Sequence, residues 1–212
     1  MKKKIITIIL AASFVVLIAG ASLLYGRLSQ EQAPEQLAPL VDLKNNLPKE
    51  ENDKDVNNEN GKKEGEQEKT AERQEPKAMD FTVYDGEGNQ VKLSNYFGKP
   101  IVLNFWASWC GPCQSEMPDF QEKYLELNDT VQFLMVNVTG GRETVATAKS
   151  FISQNGYTFP VFYDSDLNAA DTYEVYSLPT TYFIDADGYL MAQATGAISA
   201  ATLQSGIDMI MG

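Results

Sequence analysis

Cys110 and Cys113 are the only cysteines in the chain, and two residues separate them. A disulfide that closes so short a loop removes little conformational entropy from the unfolded chain, so it is a weak structural staple. Thiol–disulfide exchange suits the pair better, because one thiolate attacks a disulfide sulfur and a nearby second thiol releases the product. The spacing therefore predicts a redox pair.

The elements around the pair favour Cys110 as the attacking sulfur. The apolar run Ile101–Trp106 predicts a central strand buried on both faces, and apolar residues at helical spacing predict a helix from the cysteines to about Leu127. Cys110 would then lie at the helix N-terminus, where unpaired amide groups and the helix dipole stabilise a thiolate. Cys113 would be shielded one turn further on and would resolve the mixed disulfide.

Half of a zinc site is the structural alternative for this spacing. A structural zinc ion needs four ligands, and the chain has no histidine and no further cysteine. Only a site shared between chains would serve, so we expect neither a metal nor a cofactor.

Strands and helices alternate after the cysteines. Val131–Val138 predicts a second buried strand, and Thr144 to about Asn155 predicts a helix with Gly156 at its C-cap. The alternation implies a parallel crossover and one α/β domain over residues 79–212. The remaining predicted elements are hairpins at 81–93 and 180–194, an apolar run at 159–163, a short helix at 167–173 and a final helix at 200–211 capped by Ser199.

Residues 1–26 are typical of a membrane anchor. Three lysines precede residues 5–25, which carry no charge and are long enough to span roughly 30 Å of hydrocarbon. The lysines favour a cytoplasmic N-terminus, so the rest of the chain would lie outside the membrane of a bacterial cell. A signal peptide cleaved near Ala19–Ala21 is the alternative, but the apolar run continues through Tyr25 and favours an uncleaved single-pass anchor.

Residues 27–78 are rich in Glu, Lys, Asn and Gln and contain no aromatic residue. So little apolar surface predicts a disordered, charged linker. A flexible chain of this size has an end-to-end distance of roughly 40 Å. A short polar helix at 64–77 is the alternative, although it would have no face to bury.

The charge of the chain argues against one class of partner. The net charge is −12, and residues 79–212 hold 16 acidic and 5 basic side chains. Nucleic-acid binding needs clustered Lys and Arg, so we expect no nucleic-acid partner. An acidic surface promotes solubility, and it would also steer basic protein partners towards the domain.

Three motifs give the domain a family resemblance. Residues 109–113, Trp-Cys-Gly-Pro-Cys, match the thioredoxin active-site pentapeptide, Pro118 resembles the proline that kinks the thioredoxin helix, and Ser177–Thr181 resembles the segment with its cis-proline. The resemblance implies a thioredoxin-like fold, with a mixed central sheet flanked by helices and an N-terminal hairpin extension. It also implies that Leu178 and Pro179 pair with the backbone of a bound client.

The extracytoplasmic branch that includes TlpA, ResA and CcmG (DsbE) shares further features. Residues 104–110, Asn-Phe-Trp-Ala-Ser-Trp-Cys, and residues 178–185, Leu-Pro-Thr-Thr-Tyr-Phe-Ile-Asp, resemble it, as does Glu116. The resemblance implies a membrane-tethered thiol–disulfide oxidoreductase that acts as a protein-disulfide reductase.

The two tryptophans are expected in different places. Trp109 would be exposed beside Cys110 and would form a docking surface for the client together with Gly111 and Pro112. Trp106 would lie in the core.

Asn104 is a departure from thioredoxin, which has a buried Asp six residues before its first cysteine. Asn104 cannot titrate, so Glu116, about one helical turn from Cys113, is the candidate replacement. A buried carboxylate beside a thiol pair can take a proton during exchange. An exposed Glu on the helix surface is the alternative.

The resemblance also indicates the class of partner. It suggests disulfide-containing protein substrates such as apocytochrome c, and an electron donor in the membrane of the CcdA or DsbD kind. Other clients would be spore or envelope assembly proteins or reductases of oxidised methionine, and a tethered binding module without redox function is a different class. Peroxidase activity is disfavoured, since Ala107 replaces the Thr or Ser that lies three residues before a peroxide-reacting cysteine.

Overall fold

The computed structural model describes residues 37–39 and 75–212. The strands are β1 (Ala38–Pro39), β2 (Thr82–Tyr84), β3 (Gln90–Lys92), β4 (Ile101–Trp106), β5 (Gln132–Asn137), β6 (Val161–Tyr163), β7 (Thr180–Ile184) and β8 (Leu190–Thr195). The α-helices are α1 (Gly111–Leu127), α2 (Val145–Asn155), α3 (Asn168–Thr172) and α4 (Ala200–Met211), and a 3-10 helix covers Leu93–Tyr96. The described strands form one sheet in the order β1-β8-β7-β4-β5-β6-β2-β3.

The strand β4 lies inside this sheet, and every one of its side chains is buried, as its continuous apolar run predicts. It pairs in parallel with β5, which pairs in parallel with β6, so α1 and α2 make the predicted crossovers. On its other side β4 pairs with β7 in antiparallel orientation, and β7 continues into the hairpin with β8. Strands β2 and β3 pair antiparallel at the far edge. The mixed sheet flanked by helices confirms the predicted fold class.

Alternating residues of β4 divide the core into two clusters. Val102 and Trp106 belong to a helix-side cluster, which also contains both cysteines and the buried residues of α1, α2 and α4. Leu103 and Phe105 belong to an aromatic cluster on the opposite face of the sheet. The aromatic rings of that second cluster are Phe81, Phe105, Phe162, Tyr173 and Tyr182.

Three capping residues define ends of α2 and α4, and two of them, Gly156 and Ser199, are predicted by the sequence. The hydroxyl of Thr144 accepts a hydrogen bond from the amide of Thr147 at the start of α2. Gly156 ends that helix with a φ of 70°, a left-handed conformation that glycine adopts without steric cost. Ser199 caps α4 in the same way as Thr144 caps α2, by accepting from the amide of Thr202. The chain thus enters α2 and α4 at Thr144 and Ser199 and leaves α2 at Gly156.

The segment before residue 79 is only partly described. The predicted anchor at 1–26 lies outside the described residues, as does most of the predicted linker. Strand β1, within that linker, nevertheless pairs with β8, and Leu37 packs against the helix-side cluster. Residues 75–78 also join the domain, since the amide of Ala78 donates to the carbonyl of Gly188 at 2.8 Å. Among the described residues, none of the helices has the length and apolar character that crossing a membrane requires.

Candidate active site

Cys110 and Cys113 form a disulfide at the N-terminus of α1. Cys110 is the N-cap residue, and its sulfur accepts a hydrogen bond from the amide of Cys113 at 3.2 Å. Pro112 occupies the first turn, where its missing N–H leaves no helical hydrogen bond unmade. The sequence therefore places the sulfur of Cys110 at the positive end of a 17-residue helix.

The surface around the disulfide is more open than the sulfurs themselves. Cys113 is fully buried, and Cys110 is 4% exposed. Trp109 is 46% exposed, and Gly111 and Pro112 are exposed as well. A client would therefore meet the rim formed by these three residues before its sulfur could reach Cys110.

Glu116 is buried behind the disulfide, on the same helix and one turn beyond Cys113. Its carboxylate accepts from the side-chain amide of Asn104 and from the backbone amide of Ile198, each at 2.9 Å. Burial raises the pKa of Glu116 to about 7, although these two hydrogen bonds oppose the rise. The alternative of an exposed surface Glu is excluded, and the carboxyl can exchange a proton near neutral pH.

Asn104 connects Glu116 to the sheet. Its amide group also donates to the hydroxyl of Thr181 at 3.0 Å, while its carbonyl oxygen has no hydrogen-bond partner in the described part of the chain. The indole nitrogen of Trp106 and the amide nitrogen of Asn137 are likewise buried without partners there. The polar atoms beneath the active site are thus incompletely paired, which is costly in a buried environment.

Leu178 and Pro179 lie at the same edge of the sheet as the cysteines. Phe105 is paired with Thr180, so the residues just before β7 face the chain that leaves β4 towards Cys110. The Leu178–Pro179 peptide is cis, as the resemblance implied. Leu178 is half-buried and packs against the helix-side cluster, which contains both cysteines.

A second loop contacts the residues just before Cys110, and sequence reasoning did not identify it. Glu143, between β5 and α2, accepts from both the amide and the hydroxyl of Ser108, each at 2.8 Å. The neighbouring Arg142 places its guanidinium carbon 3.8 Å from the ring centroid of Trp109. The two loops are 35 residues apart in sequence, and no local pattern signals that they meet.

One groove of the described surface lies away from the disulfide. It has a volume of about 390 Å³ and lies between the β2–β3 turn, α2 and the loop after β6. None of the predicted site residues lines it.

Comparison with known proteins agrees with this chemistry. The AhpC/TSA family model matches residues 75–193. The thiol-disulfide oxidoreductase ResA of Geobacillus kaustophilus is 35% identical over 144 residues, which is 68% of this chain and 81% of that protein.

Two solved structures are similar over the described domain. A candidate thiol:disulfide interchange protein DsbE from Chlorobium tepidum is 32% identical, with a TM-score of 0.56, and the match covers 65% of this chain and 97% of that one. The exposed lipoprotein thioredoxin Etrx1 of Streptococcus pneumoniae is 33% identical, with a TM-score of 0.54, covering 61% of this chain and 99% of that one.

Proposed function

Because the chain belongs to the AhpC/TSA family and is similar to ResA thiol–disulfide oxidoreductases, we propose that it reduces disulfide bonds of proteins outside the cytoplasm. The observation that carries this proposal is the Cys110–Cys113 disulfide at the N-terminus of α1, with the buried carboxyl of Glu116 behind it. The position of Cys110 at the helix N-terminus supports a role as the attacking thiolate. The burial of Glu116 near the disulfide supports a role in proton transfer.

The reduced protein carries out two exchange steps. The Cys110 thiolate attacks one sulfur of the client disulfide, a mixed disulfide forms, and the first client sulfur leaves as a thiolate that takes up a proton. The Cys113 thiol loses its proton and attacks the Cys110 sulfur, which breaks the mixed disulfide and releases the second client thiolate. The client gains two electrons and two protons, and the protein is left with the Cys110–Cys113 disulfide seen here.

Glu116 is the candidate proton acceptor for the second step. A group is most useful as a general base when its pKa lies near the working pH, and burial brings the pKa of Glu116 to about 7. Asn104 and Ile198 hold the two carboxylate oxygens and fix their direction. The proton that Cys113 loses would pass to Glu116, directly or through water, and then to the departing client sulfur.

The cellular setting is part of the proposal. The uncharged run at 5–25 after three lysines supports a single-pass anchor in a bacterial cell membrane, with the domain on the extracytoplasmic side. An oxidised Cys110–Cys113 pair needs a dithiol donor of the CcdA or DsbD kind in that membrane to return to the dithiol form.

We propose apocytochrome c as the principal client. The excess of acidic over basic residues in 79–212 supports a basic client of this type, because opposite charges steer encounter. Other envelope proteins and methionine sulfoxide reductases are the alternative clients. A tethered binding module without redox function is the alternative from another class.

A trapping experiment tests both the chemistry and the client. The full chain carrying Cys113→Ala is expressed in a bacterial membrane, and the mixed disulfides that accumulate on Cys110 are identified by mass spectrometry. We expect proteins with an unfilled Cys-x-x-Cys-His heme-attachment motif. The Cys110→Ala/Cys113→Ala double variant is the matched control, since it lacks the attacking sulfur as well as the resolving one.

Two other results would change the proposal in different ways. Mixed disulfides with other envelope proteins would keep the exchange chemistry and replace the client. No mixed disulfide at all, together with a wild-type protein inert towards dithiols, would overturn the oxidoreductase itself.

A further inference from the structure

The loop between β5 and α2 lies against the active-site loop along its whole approach to Cys110. The contact begins in the backbone, where the amide of Val138 donates to the carbonyl of Trp106 at 2.9 Å. It continues in the side chains of Arg142 and Glu143, which meet Trp109 and Ser108. Two consecutive residues of one loop therefore contact two consecutive residues of the other.

Glu143 is a buried carboxylate, only 3% exposed, at the end of this loop. One of its oxygens accepts from the amide and the hydroxyl of Ser108, and the other accepts from the hydroxyl of Thr147 on α2. A buried carboxyl group bonded in this way fixes the active-site loop to the start of α2.

Ser108 has its polar groups engaged on both sides. The amide and the hydroxyl of Ser108 donate to Glu143, and the carbonyl of Ser108 accepts from the side-chain amide of Gln114 at 2.6 Å. Ser108 precedes Cys110 by two residues, and the amide of Cys110 donates back to the carbonyl of Ala107 at 3.1 Å. The backbone that carries the attacking sulfur is thus held by hydrogen bonds from α1 and from the β5–α2 loop.

Arg142 acts on the other side of the same turn. Trp109 exposes 46% of its surface, so packing alone does not fix its ring. The guanidinium of Arg142 stacks on the face of that ring, and a cation in this position is attracted by the negative face of the indole. The contact restrains an exposed aromatic ring directly beside a sulfur that is itself only 4% exposed.

From these contacts we propose that Arg142 and Glu143 are positioning residues for exchange at Cys110. Glu143 holds the loop that carries the sulfur, and Arg142 holds the Trp109 ring at the edge of the surface that a client must cross. The inference rests on the proposed function and adds two residues outside the Cys-x-x-Cys helix that set how a protein client reaches it. Arg142 governs docking of the client, whereas Glu143 governs the reactivity of the sulfur with any disulfide.

The test uses the full chain in mild detergent, with the variants Arg142→Met, Arg142→Lys and Glu143→Gln. Lys149→Met is the matched control for Arg142, because Lys149 is an exposed cation on α2 and its removal changes the net charge equally. Reduction rates are measured with a protein disulfide, such as insulin, and with a small aromatic disulfide. Thermal unfolding by circular dichroism shows whether each variant is folded.

We expect Arg142→Met to raise KM for the protein disulfide by about 2- to 5-fold, the size expected for one exposed cation–π contact. The values of kcat and of the small-disulfide rate should change by less than about twofold. Arg142→Lys should show a smaller increase in KM than Arg142→Met, since an ammonium group keeps the positive charge but lacks the planar guanidinium. Glu143→Gln should slow the reduction of both disulfides, because the cysteine loop itself is released.

Fluorescence supplies a reading that is independent of exchange. The chain has two tryptophans, Trp106 fully buried and Trp109 exposed, so acrylamide, a neutral quencher, reports mainly on Trp109. Arg142→Met should make the emission more quenchable, and Lys149→Met should not.

The variants test the role of Arg142, the role of Glu143 and the oxidoreductase activity separately. If folded Arg142→Met matches Lys149→Met in both KM and quenching, the role of Arg142 is wrong. If Glu143→Gln exchanges as fast as the wild type with both disulfides, the role of Glu143 is wrong. If the wild type reduces neither disulfide, the proposed function fails, while the quenching difference still reports whether Arg142 holds Trp109.

Discussion

The two faces of the central sheet are built for different purposes. On the aromatic face, Phe105 lies between Phe81, Tyr173 and Tyr182, with ring centroids 5.9 to 6.4 Å apart. The buried hydroxyls there have partners, since Tyr173 donates to the carbonyl of Met79 and Tyr182 to that of Tyr173. This face combines large apolar burial with paired polar atoms, which is the arrangement that favours stability.

The helix-side face carries the chemistry and is packed less favourably. It holds a carboxyl with a raised pKa and, among the described residues, three buried polar atoms without partners, on Asn104, Trp106 and Asn137. Each such atom costs free energy of folding. The difference indicates that the aromatic face contributes more to stability, whereas the helix-side face carries the unfavourable polar burial beside the disulfide.

Removing a ring from the aromatic face should have the largest effect on stability. Phe105→Ala should lower the free energy of unfolding by about 3–5 kcal/mol, as for other buried aromatic residues, because it removes the ring at the centre of the cluster. Urea denaturation of the oxidised protein measures the loss. The exchange rate of the folded fraction should stay within about twofold of the wild type, since Phe105 points away from the disulfide.

Phe105→Leu is the milder companion if the alanine variant does not fold. It keeps most of the apolar volume and should cost about 1–2 kcal/mol. A large loss of exchange activity in folded Phe105→Leu would contradict the conclusion that the aromatic face contributes to stability and not to the exchange chemistry.

On the helix-side face, Glu116 should make stability depend on pH. Its pKa is about 7 in the folded protein and 4.5 in an ordinary setting, so between these values only the folded state keeps the proton. The contribution of Glu116 to stability should therefore be fully present below pH 4.5 and fall as the pH rises towards 7, by about 1.4 kcal/mol per unit or roughly 3 kcal/mol in total. Glu116→Gln should abolish this contribution.

The measurement is the free energy of unfolding from pH 5 to pH 8 for the oxidised wild type and Glu116→Gln. The variant should gain stability relative to the wild type as the pH rises. It should remain folded, because the unpaired carbonyl oxygen of Asn104 can turn to accept from the new amide. Parallel curves for the two proteins would show that Glu116 does not titrate in this range.

Much of the scaffold was predictable because its signals are local. The unbroken apolar run of β4, the capping residue Ser199, and Gly156 at the end of α2 each depend on a few neighbouring residues. The placement of Cys110 at a helix N-terminus follows from the same strand-to-helix order. The sequence also separated buried Trp106 from exposed Trp109 correctly.

The polar contacts of the site were not predictable in the same way. Glu116 meets Ile198 across 82 residues and Glu143 meets Ser108 across 35, and neither pair has a periodic pattern or a motif. Which donor reaches a buried carboxylate depends on how the loops come together at the edge of the sheet. Strand β1 was missed for a related reason, since two residues in a charged segment carry no strand pattern.

Replacing Asn104 by the Asp that thioredoxin has at this position should destabilise the fold less than Phe105→Ala does. Asn104→Asp places a second carboxyl where the Asn104 amide now donates to Glu116 at 2.9 Å. Two carboxylates so close cannot both ionise, so the pair should share a proton and lose about 1–3 kcal/mol of stability, mostly at alkaline pH. Urea denaturation at pH 5 and pH 8 measures the change. A loss that is equal at both pH values would point to packing instead of charge.

The smallest effects come from deleting one polar atom on each face. Tyr182→Phe removes a paired hydroxyl, so it should cost about 1 kcal/mol, the usual net value of a hydrogen bond. Trp106→Phe also removes ring volume, but it deletes the unpaired indole nitrogen, and these opposite contributions should leave stability within about 1 kcal/mol of the wild type. Denaturation of both variants under identical conditions makes the comparison. If Trp106→Phe lowers the free energy of unfolding several times more than Tyr182→Phe, the unpaired indole nitrogen does not destabilise the fold. The helix-side face would then be as favourably paired as the aromatic face.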